Sequence, residues 1–233
     1  HFIAMGGSGM SGLALAYHEL GVPVSGCDQV DSKTLEQLHD DGITIWVGHD
    51  PAQLKDVDTV VISSAIHPDN VELVAARERG LRVWHRSAAL AALMLDHEAV
   101  SVAGTHGKTT TTAMIATMAT TAGADPSYVV GSPLASTGES ARIGKGTPFI
   151  VEADESDGSF LQYPTRIAVI TNVEADHLDN WGSAEHYARG FERFATGPTV
   201  RDVVIDADDA GARELTGKLR RLASGPTVTT YGE

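Results

Sequence analysis

The sequence of 233 residues contains one cysteine, Cys27, and no apolar run near the ~18 residues that a membrane-spanning helix requires. A single cysteine excludes an internal disulfide and is typical of proteins from reducing compartments. No secretory signal is visible. Apolar residues make up 42% of the chain, which is enough for a globular core. The length suits one large domain or two of ordinary size.

Basic residues are also scarce. The chain has 17 Lys and Arg against 31 Asp and Glu, which gives a formal net charge of −14. A surface this acidic disfavours general binding to nucleic acid or to anionic lipid. It still allows a small anionic ligand, because backbone amides and one lysine can hold a phosphate. We therefore expect neither a nucleic-acid partner nor membrane insertion.

The first part of the chain alternates strand-like and helix-like stretches. The strand-like runs are Phe2–Met5, Val22–Cys27, Ile43–Val47, Thr59–Ile62 and Leu81–Trp84. The helix-like stretches are Met10–Leu20, Lys33–Asp40, Asn70–Arg79 and Ser87–Leu95. This alternation indicates βαβ units on a parallel sheet. We place a domain boundary near Asp96, so that residues 1–96 form a Rossmann-like α/β domain.

Residues 97–233 begin again with a strand, a glycine loop and a helix. The predicted strands are Ala99–Ala103, Pro148–Glu152, Ile167–Thr171 and Val203–Ile205. The predicted helices are Thr109–Ala122, Ala184–Ala195 and Asp208–Leu215. Residues 136–146 are polar and glycine-rich, which favours a mobile loop. The second half is therefore predicted to be a P-loop-type α/β domain that is incomplete.

Residues 4–12, AMGGSGMSG, contain the spacing G-x-G-x-x-G between an apolar stretch and a helix. Such glycines allow a tight turn that presents amides to a phosphate at a helix N-terminus. Asp28 ends the next apolar run, where dinucleotide-binding folds carry a ribose partner. The spacing alone leaves two readings open: a nicotinamide or flavin enzyme, and a loop that holds a different phosphate.

A second glycine loop, GTHGKTTTT at residues 104–112, stands between a predicted strand and a predicted helix. Its glycines let successive N–H groups point inward and form an anion-binding nest. Lys108 can reach the β- and γ-phosphates of a nucleotide, and the Thr109 hydroxyl can ligate Mg²⁺. The loop is shorter than the usual P-loop, which has a glycine where Val102 stands. The alternative, a polar turn before a helix, does not explain the G-K-T triplet.

Carboxylates follow the next apolar strand, in FIVEADESDGSF at residues 149–160. The four acids of this segment are Glu152, Asp154, Glu155 and Asp157. Ligands of open α/β sheets gather at the carboxyl ends of strands, where carboxylates can bind Mg²⁺. Strand alternation puts Glu152 and Asp154 on one face and Glu155 on the other. A solvated acidic turn is the alternative, but four acids in six residues repel one another without a cation or donors.

A further strand leads into TNVEADHLD at residues 171–179, which brings Asn172, Asp176 and His177 to the same edge. A lone histidine is usually structural, but this one stands at the third strand end of the same candidate site. Hydroxyl, carboxylate and imidazole groups can together ligate Mg²⁺ or Mn²⁺. His106 is read either as a substrate contact or as a solvent-exposed side chain.

Taken in series, GGSGMSG, VAGTHGKTTTT, EADESDGSF and TNVEADHLD resemble the signatures of the Mur ligases of peptidoglycan synthesis, and most closely those of the alanine-adding branch. The motifs run from His1 to about Phe194, in the family's order and at compatible spacing. The resemblance implies a bacterial cytoplasmic ligase that uses ATP and Mg²⁺ (or Mn²⁺). ATP would phosphorylate the carboxylate of UDP-N-acetylmuramate, and the amine of L-alanine would then attack the acyl phosphate.

The resemblance also implies roles for individual residues. Lys108, Glu152 and His177 would be catalytic, and the metal ligands would be Thr109, Glu152 and His177, the last serving a second cation. ATP would be held by Gly104, Thr105, His106, Gly107, Lys108, Thr109 and Thr110. The diphosphate of the UDP-sugar would lie on the amides of Gly7, Ser8, Gly9, Met10 and Ser11. The uridine would be surrounded by Asp28, His49, Ser63, Ser64, Ala65 and Ile66.

Two departures from the family pattern bear on the prediction. Sister ligases use a carbamylated lysine after the metal histidine, but no lysine occurs here between Lys145 and Lys218, which favours the alanine-adding branch. The family's chain is also about twice this long, and its C-terminal domain has no counterpart here. We therefore expect little or no ligase activity from these 233 residues alone. Oligomeric state stays open.

Three alternatives remain at this stage. One is a ligase that recycles murein tripeptide onto UDP-N-acetylmuramate. Another is a catalytically incomplete module that binds a UDP-sugar and ATP. The third is an oxidoreductase, which leaves the second glycine loop unexplained.

Overall fold

The computed structural model describes the backbone of residues 1–233 and every side chain except that of Ser8. The first of its two sheets is parallel, with five strands in the order β3-β2-β1-β4-β5. These strands are β1 (Phe2–Ile3), β2 (Ser25–Asp28), β3 (Thr44–Val47), β4 (Thr59–Ile62) and β5 (Arg82–His85). The helices between and after them are α1 (Ser8–Glu19), α2 (Lys33–Asp40), α3 (Val71–Glu78) and α4 (Arg86–Leu93). A 3₁₀ turn (Pro51–Leu54) precedes β4.

The second sheet has seven strands in the order β12-β11-β10-β6-β9-β7-β8. Its strands are β6 (Glu98–Ala103), β7 (Ser127–Val129), β8 (Ala141–Arg142), β9 (Pro148–Glu152), β10 (Ile167–Ile170), β11 (Asp202–Asp206) and β12 (Thr227–Tyr231). The helices are α5 (Lys108–Thr121), α6 (Leu178–Trp181), α7 (Ala184–Ala195) and α8 (Ala210–Leu219), with a 3₁₀ turn at Ser159–Gln162. All pairings are parallel except β7 with β8. The predicted α/β class is confirmed.

The loop prediction for residues 136–146 is wrong at Ala141–Arg142, which form β8. A two-residue strand has no periodicity of its own, and it forms here because Val129 and Tyr128 of β7 pair with it. Strands β7 and β12 are also absent from the sequence prediction. In β12 four of the five residues are exposed and Val228 is partly buried, so the alternation of apolar and polar residues that predicts a strand is weak.

Helix α1 joins the two sheets. A Cβ at Gly12 would lie 3.3 Å from the Cβ of Ala141, so the missing side chain lets α1 pack closely on β8. At the other end of α1, Ile143 N donates to Glu19 Oε2 at 2.8 Å. One apolar cluster runs through both sheets, from Phe2 and Leu13 to Phe149. The carboxyl ends of β2, β4 and β5 of the first sheet, and of β7 and β9 of the second, line a shared cleft.

Within the described part of the chain, no helix is both long and apolar enough to cross a membrane.

Candidate functional site

The second glycine loop leaves β6 and enters α5 through two glycines with positive φ. Gly104 has φ +145° and Gly107, the N-cap of α5, has φ +80°. A Cβ on Gly104 would lie only 1.9 Å from Thr171 Oγ1. Gly104 is therefore required both by its backbone conformation and by the close approach of β10.

We predict that Gly104→Ala lowers the free energy of unfolding by about 3 kcal/mol, because backbone strain and a steric clash add. Gly123→Ala is the matched control, since Gly123 also has positive φ but, apart from its own neighbours along the chain, no described residue has an atom within 4 Å of the point where its Cβ would stand. That change should cost about 1 kcal/mol. Urea unfolding followed by circular dichroism measures both values. Equal costs at the two positions would contradict the role of the clash.

The segment after β10 fixes the shape of this loop. His106 N donates to Asn172 Oδ1 at 2.9 Å, and Asn172 Nδ2 donates back to His106 O at 3.1 Å. Thr171 Oγ1 donates to the same carbonyl at 2.6 Å. The Thr105 hydroxyl is buried and donates to Glu174 O at 2.8 Å. The motif TNVEADHLD thus begins by clamping the loop, and Asn172 is engaged there instead of with His177.

Lys108, the first residue of α5, folds over the loop and lies against a buried carboxylate. Its Nζ donates to Gly104 O at 2.6 Å, to Thr105 O at 3.3 Å and to Glu155 Oε1 at 3.1 Å. Glu155 Oε2 lies 2.9 Å from the same Nζ, at an angle that gives no hydrogen bond. Glu155 is fully buried. Since β9 ends at Glu152, Glu155 lies beyond the strand and strand alternation does not apply to it; its contact with Lys108 places it beneath the loop.

Glu152, the last residue of β9, lies beside Thr109. Thr109 Oγ1 donates to Glu152 Oε2 at 3.1 Å, and Gly131 N donates to Oε1 at 2.6 Å. A hydroxyl and a carboxylate oxygen are hard donors that suit Mg²⁺, which takes few protein ligands beside its waters and substrate phosphates. The residues present therefore fit a magnesium ion at this point of the site.

His177 is the N-cap of α6 and has a left-handed backbone, with φ +48°. Its Nε2 lies 3.8 Å from Asp176 Oδ2. Among the described residues, its polar contacts do not include Thr109 or Glu152. The segment that follows is fixed to the acidic one, because Trp181 Nε1 donates to Glu155 O and Asn180 Nδ2 donates to Ser156 O. His177 is thus held near this region without reaching Glu152.

In the first glycine loop, Gly7 is the N-cap of α1. The amides of Met10 and Ser11 donate to Gly7 O, both at 2.9 Å, so they point along the helix and not toward a ligand. This corrects the expectation that both amides hold a diphosphate, and it leaves that role to the amides of Gly7, Ser8 and Gly9. The side chain of Ser8 lies outside the described residues.

Only some of the residues expected around a uridine line the cleft. Asp28 ends β2 and accepts from Gly6 N at 2.8 Å, so its carboxylate braces the first loop. Asp28, Ser63 and Ala65 line the cleft, and Ser64 does not. Two others face elsewhere: His49 turns inward toward Cys27, and Ile66 packs against a buried apolar cluster of the first sheet.

A cleft of about 590 Å³ lies between the two glycine loops. Gly7, Gly9 and Met10 reach it from the first loop, and Lys108 and Glu152 reach it from the second half. Its remaining lining residues are Ala4, Asp28, Ser63, Ala65, Arg86, Leu90, Val129, Val130, Gly131, Asp154 and Tyr163. The two loops singled out in the sequence, a hundred residues apart, thus open onto one space.

Arg86 is a cleft residue that the sequence reasoning missed. Its Nη2 donates to Asp154 Oδ2 at 2.7 Å across the two halves of the chain. Its Nη1 lies 3.1 Å from where a Cβ of Gly9 would stand. Burial raises the pKa of Asp154, but hydrogen bonds from Ser156 and the charge of Arg86 outweigh it and hold that pKa below its usual value. Because Arg86 directly follows β5, the strand-end rule used for the acids would have found it.

Two family models together match most of the chain. "Mur ligase family, catalytic domain" matches residues 1–98, and "Mur ligase middle domain" matches residues 102–233. The UDP-N-acetylmuramate–L-alanine ligase of Cutibacterium acnes is 64% identical over 100% of this chain and 49% of its own length. That of Thermobifida fusca is 52% identical, with the same coverage. The chain spans about half the length of these curated relatives.

Solved structures show the same likeness. The UDP-N-acetylmuramate-alanine ligase of Thermotoga maritima has a TM-score of 0.86 at 30% identity, over 100% of this chain and 52% of that one. The UDP-N-acetylmuramate:L-alanyl-γ-D-glutamyl-meso-diaminopimelate ligase of Neisseria meningitides has a TM-score of 0.88 at 29% identity, over 100% and 77%. With two glycine loops facing one cleft and a middle-domain match over more than half of its residues, the chain belongs to the Mur ligase family.

Proposed function

We propose that this chain carries the UDP-N-acetylmuramate-binding and ATP-binding parts of a ligase that joins L-alanine to UDP-N-acetylmuramate in the bacterial cytoplasm. Residues 1–96 would form the UDP-sugar domain and residues 97–233 the ATP domain. The single observation that carries the proposal is the cleft onto which both glycine loops open. The high identity to alanine-adding ligases supports the choice of amino acid.

On the ATP side, the amides between Gly104 and Thr110 and the N-terminus of α5 would hold the phosphates. Lys108 would turn from Glu155 toward the β- and γ-phosphates, a short movement because its ammonium already lies at the loop. Mg²⁺ bound at Thr109 and Glu152 would neutralise charge on the transferred phosphoryl group. His177 would serve a second cation only after a shift toward Glu152, since the two are not in contact.

On the UDP-sugar side, the amides of Gly7, Ser8 and Gly9 would meet the diphosphate at the N-terminus of α1. Arg86 supplies the positive charge that a diphosphate requires and that the glycine loop lacks. Asp28, Ser63 and Ala65 line the cleft close to this loop and would contact the uridine nucleotide. The roles first expected for His49 and Ile66 are not part of this proposal, because both face the interior.

The chemistry needs alignment and charge neutralisation more than covalent help. Phosphoryl transfer to a carboxylate brings two anions together, so cationic groups must offset their repulsion. Lys108 and Arg86 reach the cleft from opposite halves of the chain, which suits a reaction between ATP bound on one side and a sugar carboxylate on the other. The acyl phosphate must also be kept from water.

Binding measurements on the 233-residue chain test the proposal. Isothermal titration calorimetry should show one site for UDP-N-acetylmuramate and one for ATP with Mg²⁺, and NADH should not bind. Absence of either nucleotide site would contradict the proposal. NADH binding would favour the oxidoreductase alternative.

A chimera separates ligation from binding alone. Fusing this chain to the remaining half of an alanine-adding relative should restore alanine-dependent ADP release. A folded chimera that binds both nucleotides without turnover would favour the catalytically incomplete module.

A second candidate function is the ligation of a tripeptide. One observation favours it: the TM-score is 0.88 to a ligase whose name includes a tripeptide substrate. The identity in that comparison is 29%, against 64% to an alanine-adding relative. Competition between L-alanine and the tripeptide in the chimera should favour L-alanine. A preference for the tripeptide, both in this chimera and in one that carries the second half of a tripeptide ligase, would overturn this choice of substrate.

We predict that Arg86→Met weakens UDP-N-acetylmuramate binding by at least about tenfold, since a charge-assisted hydrogen bond contributes about 1.5–3 kcal/mol. ATP binding should change little. Arg189→Met is the matched control, because Arg189 forms an exposed ion pair within α7. Calorimetry with each nucleotide measures the effect. An equal loss of ATP affinity in the Arg86 variant would indicate a general structural defect instead.

A further inference from the structure

A second cluster of titratable side chains lies in the first half of the chain, and none of its members lines the cleft. It consists of His1 before β1, Cys27 in β2, His49 after β3 and Glu72 in the first turn of α3, called the buried quartet below. His1, Cys27 and Glu72 are buried, and their ligand atoms all lie within 4.8 Å of one another. Nothing in the proposed ligase chemistry uses these four groups together.

The other three side chains of the buried quartet are arranged around the two oxygens of Glu72. Cys27 Sγ lies 2.8 Å from Glu72 Oε2 and 3.1 Å from His49 Nδ1. His49 Nδ1 lies 3.1 Å from Glu72 Oε2. His1 Nε2 lies 3.5 Å from Glu72 Oε1, beyond ordinary hydrogen-bond length. Two imidazole nitrogens and a sulfur thus lie within 3.5 Å of one carboxylate.

One atom of the quartet has no hydrogen-bond partner in the part of the chain that the structure describes. The His1 side chain is fully buried and its Nε2 is unsatisfied, which is costly for a polar group removed from water. The other ring nitrogen, Nδ1, lies 2.9 Å from Ser25 Oγ. With a proton on Nδ1 shared with Ser25, the Nε2 lone pair would be free to bind a cation placed between His1 and Glu72. This is the arrangement by which an outer hydrogen bond orients a metal-binding histidine.

The geometry points to a site for Zn²⁺, or a chemically similar divalent transition metal, formed by His1, Cys27, His49 and Glu72. A set of one sulfur, two imidazoles and one carboxylate suits zinc and does not suit Mg²⁺ or Ca²⁺. With zinc bond lengths of about 2.0–2.3 Å, tetrahedral ligands stand about 3.3–3.6 Å apart. The observed contacts run from 2.8 Å between Cys27 and Glu72 to 3.5 Å between His1 and Glu72. The shortest is at least about 0.5 Å below the tetrahedral separation, so the ligand atoms would move apart by that amount as the metal enters.

The charges balance in this site. Burial raises the pKa of Glu72, but the neighbouring His1, Cys27 and His49 side chains outweigh it and keep that pKa below its usual value, so Glu72 is a carboxylate. Burial and the Glu72 carboxylate raise the pKa of Cys27, so without metal it is a thiol. When the metal–sulfur bond forms, the S–H bond breaks and the proton passes to solvent. Thiolate and carboxylate then offset the 2+ charge, with both imidazoles neutral.

The metal site would be connected to the first glycine loop through the backbone and would help to fix the position of that loop. Cys27 directly precedes Asp28, whose side chain braces Gly6, and Gly48 beside His49 donates its N–H to Asp28 O at 2.7 Å. A metal at the buried quartet would tie β1, β2 and α3 together below that loop. We therefore expect it to stabilise the UDP-sugar domain without taking part in the reaction.

Cobalt titration of the 233-residue chain tests the inference, with any affinity tag removed and bound metal stripped by a chelator. Co²⁺ bound by thiolate gives a sulfur-to-cobalt charge-transfer absorption in the near ultraviolet. Because Cys27 is the one cysteine of the sequence, that band can arise from no other residue. We expect it to saturate at one Co²⁺ per chain and to be displaced by Zn²⁺. Absence of the band, or cobalt bound only without it, would overturn the inference.

Variants separate the quartet from adventitious binding. Cys27→Ser should abolish the band, and Glu72→Gln should raise the dissociation constant at least tenfold. His67→Ala is the matched control, since His67 is an exposed histidine of the same half of the chain, and its affinity should be unchanged. If the quartet variants do not fold, the cobalt titration of the wild-type chain still tests whether Cys27 binds the metal. A band that survives Glu72→Gln at full affinity would also overturn the four-ligand site.

Discussion

Lys108→Met is expected to lower ATP affinity by at least about 100-fold and to leave UDP-N-acetylmuramate affinity nearly unchanged. The lysine would donate charge-assisted hydrogen bonds to two phosphates, each contributing about 1.5–3 kcal/mol, and 2.7 kcal/mol corresponds to about a hundredfold. Calorimetry with each nucleotide measures the two affinities. The UDP-sugar would bind at the other loop and should not sense the change.

The same substitution has a structural cost that must be separated from binding. Glu155 is fully buried and Lys108 is its cationic partner. Removing one member of a buried pair leaves an uncompensated charge and costs about 3–5 kcal/mol. Lys108→Met alone should therefore lower the free energy of unfolding by about that amount, as measured by urea denaturation.

A double variant resolves the two effects. In Lys108→Met/Glu155→Gln the buried charge is gone, so most of the lost stability should return while ATP binding stays lost. Lys145→Met, at an exposed lysine, is the control and should change neither property. If the folded double variant lost both nucleotides equally, the assignment of two separate sites would be wrong. If it bound ATP normally, Lys108 would have only a structural role.

Glu152→Gln is expected to remove the contribution of Mg²⁺ to ATP binding, and to slow alanine-dependent ADP release by the chimera by about 10²- to 10³-fold. The neutral amide is a poor ligand for a hard cation, whereas the fold should survive. Gln can still accept from Gly131 N, and the Thr109 hydroxyl can rotate to accept from the new NH₂ group. The measurement is ATP affinity with and without Mg²⁺, together with the turnover rate.

Thr109 provides the matched controls for this second prediction. Thr109→Ser keeps the hydroxyl and should keep most of the Mg²⁺ effect, whereas Thr109→Val removes the hydroxyl and should resemble Glu152→Gln. Unfolding curves should be close to wild type for Thr109→Ser and Glu152→Gln. A full Mg²⁺ effect in both Glu152→Gln and Thr109→Val would show that the cation binds elsewhere, and His177 would then be the next residue to test.

Local signals in the sequence determined most of the secondary structure. Helices α2 and α7 were predicted with the bounds that the structure has. In the structure, Ser32 and Ser183 are their N-caps and accept from amides of the first helical turn, and apolar residues recur at helical spacing. Strands β4 and β9 were also predicted with their observed bounds. These helices and strands are determined by residues close to one another in the sequence, so a short stretch of sequence is enough to predict them.

The chemistry of the loops was likewise visible in the sequence, since glycines, a lysine and strand-end carboxylates occur there in a spacing that suits phosphates. The sequence identified Lys108, Thr109 and Glu152 as candidate ligands of ATP and metal, and the structure brings all three together. That these three perform the proposed roles stays a prediction. The Mur ligase resemblance is confirmed by the family models over both halves of the chain.

Only the tertiary structure decided which polar groups face one another. The Lys108–Glu155 pair, the clamp of Asn172 on His106 and the bridge from Arg86 to Asp154 join residues that are 47, 66 and 68 positions apart. Side-chain spacing along one element carries no information on such distances. The same holds for His49, expected at a uridine but turned toward Cys27. The sequence shows which polar side chains stand at each strand end. The packing of the sheets and helices determines which of these side chains meet.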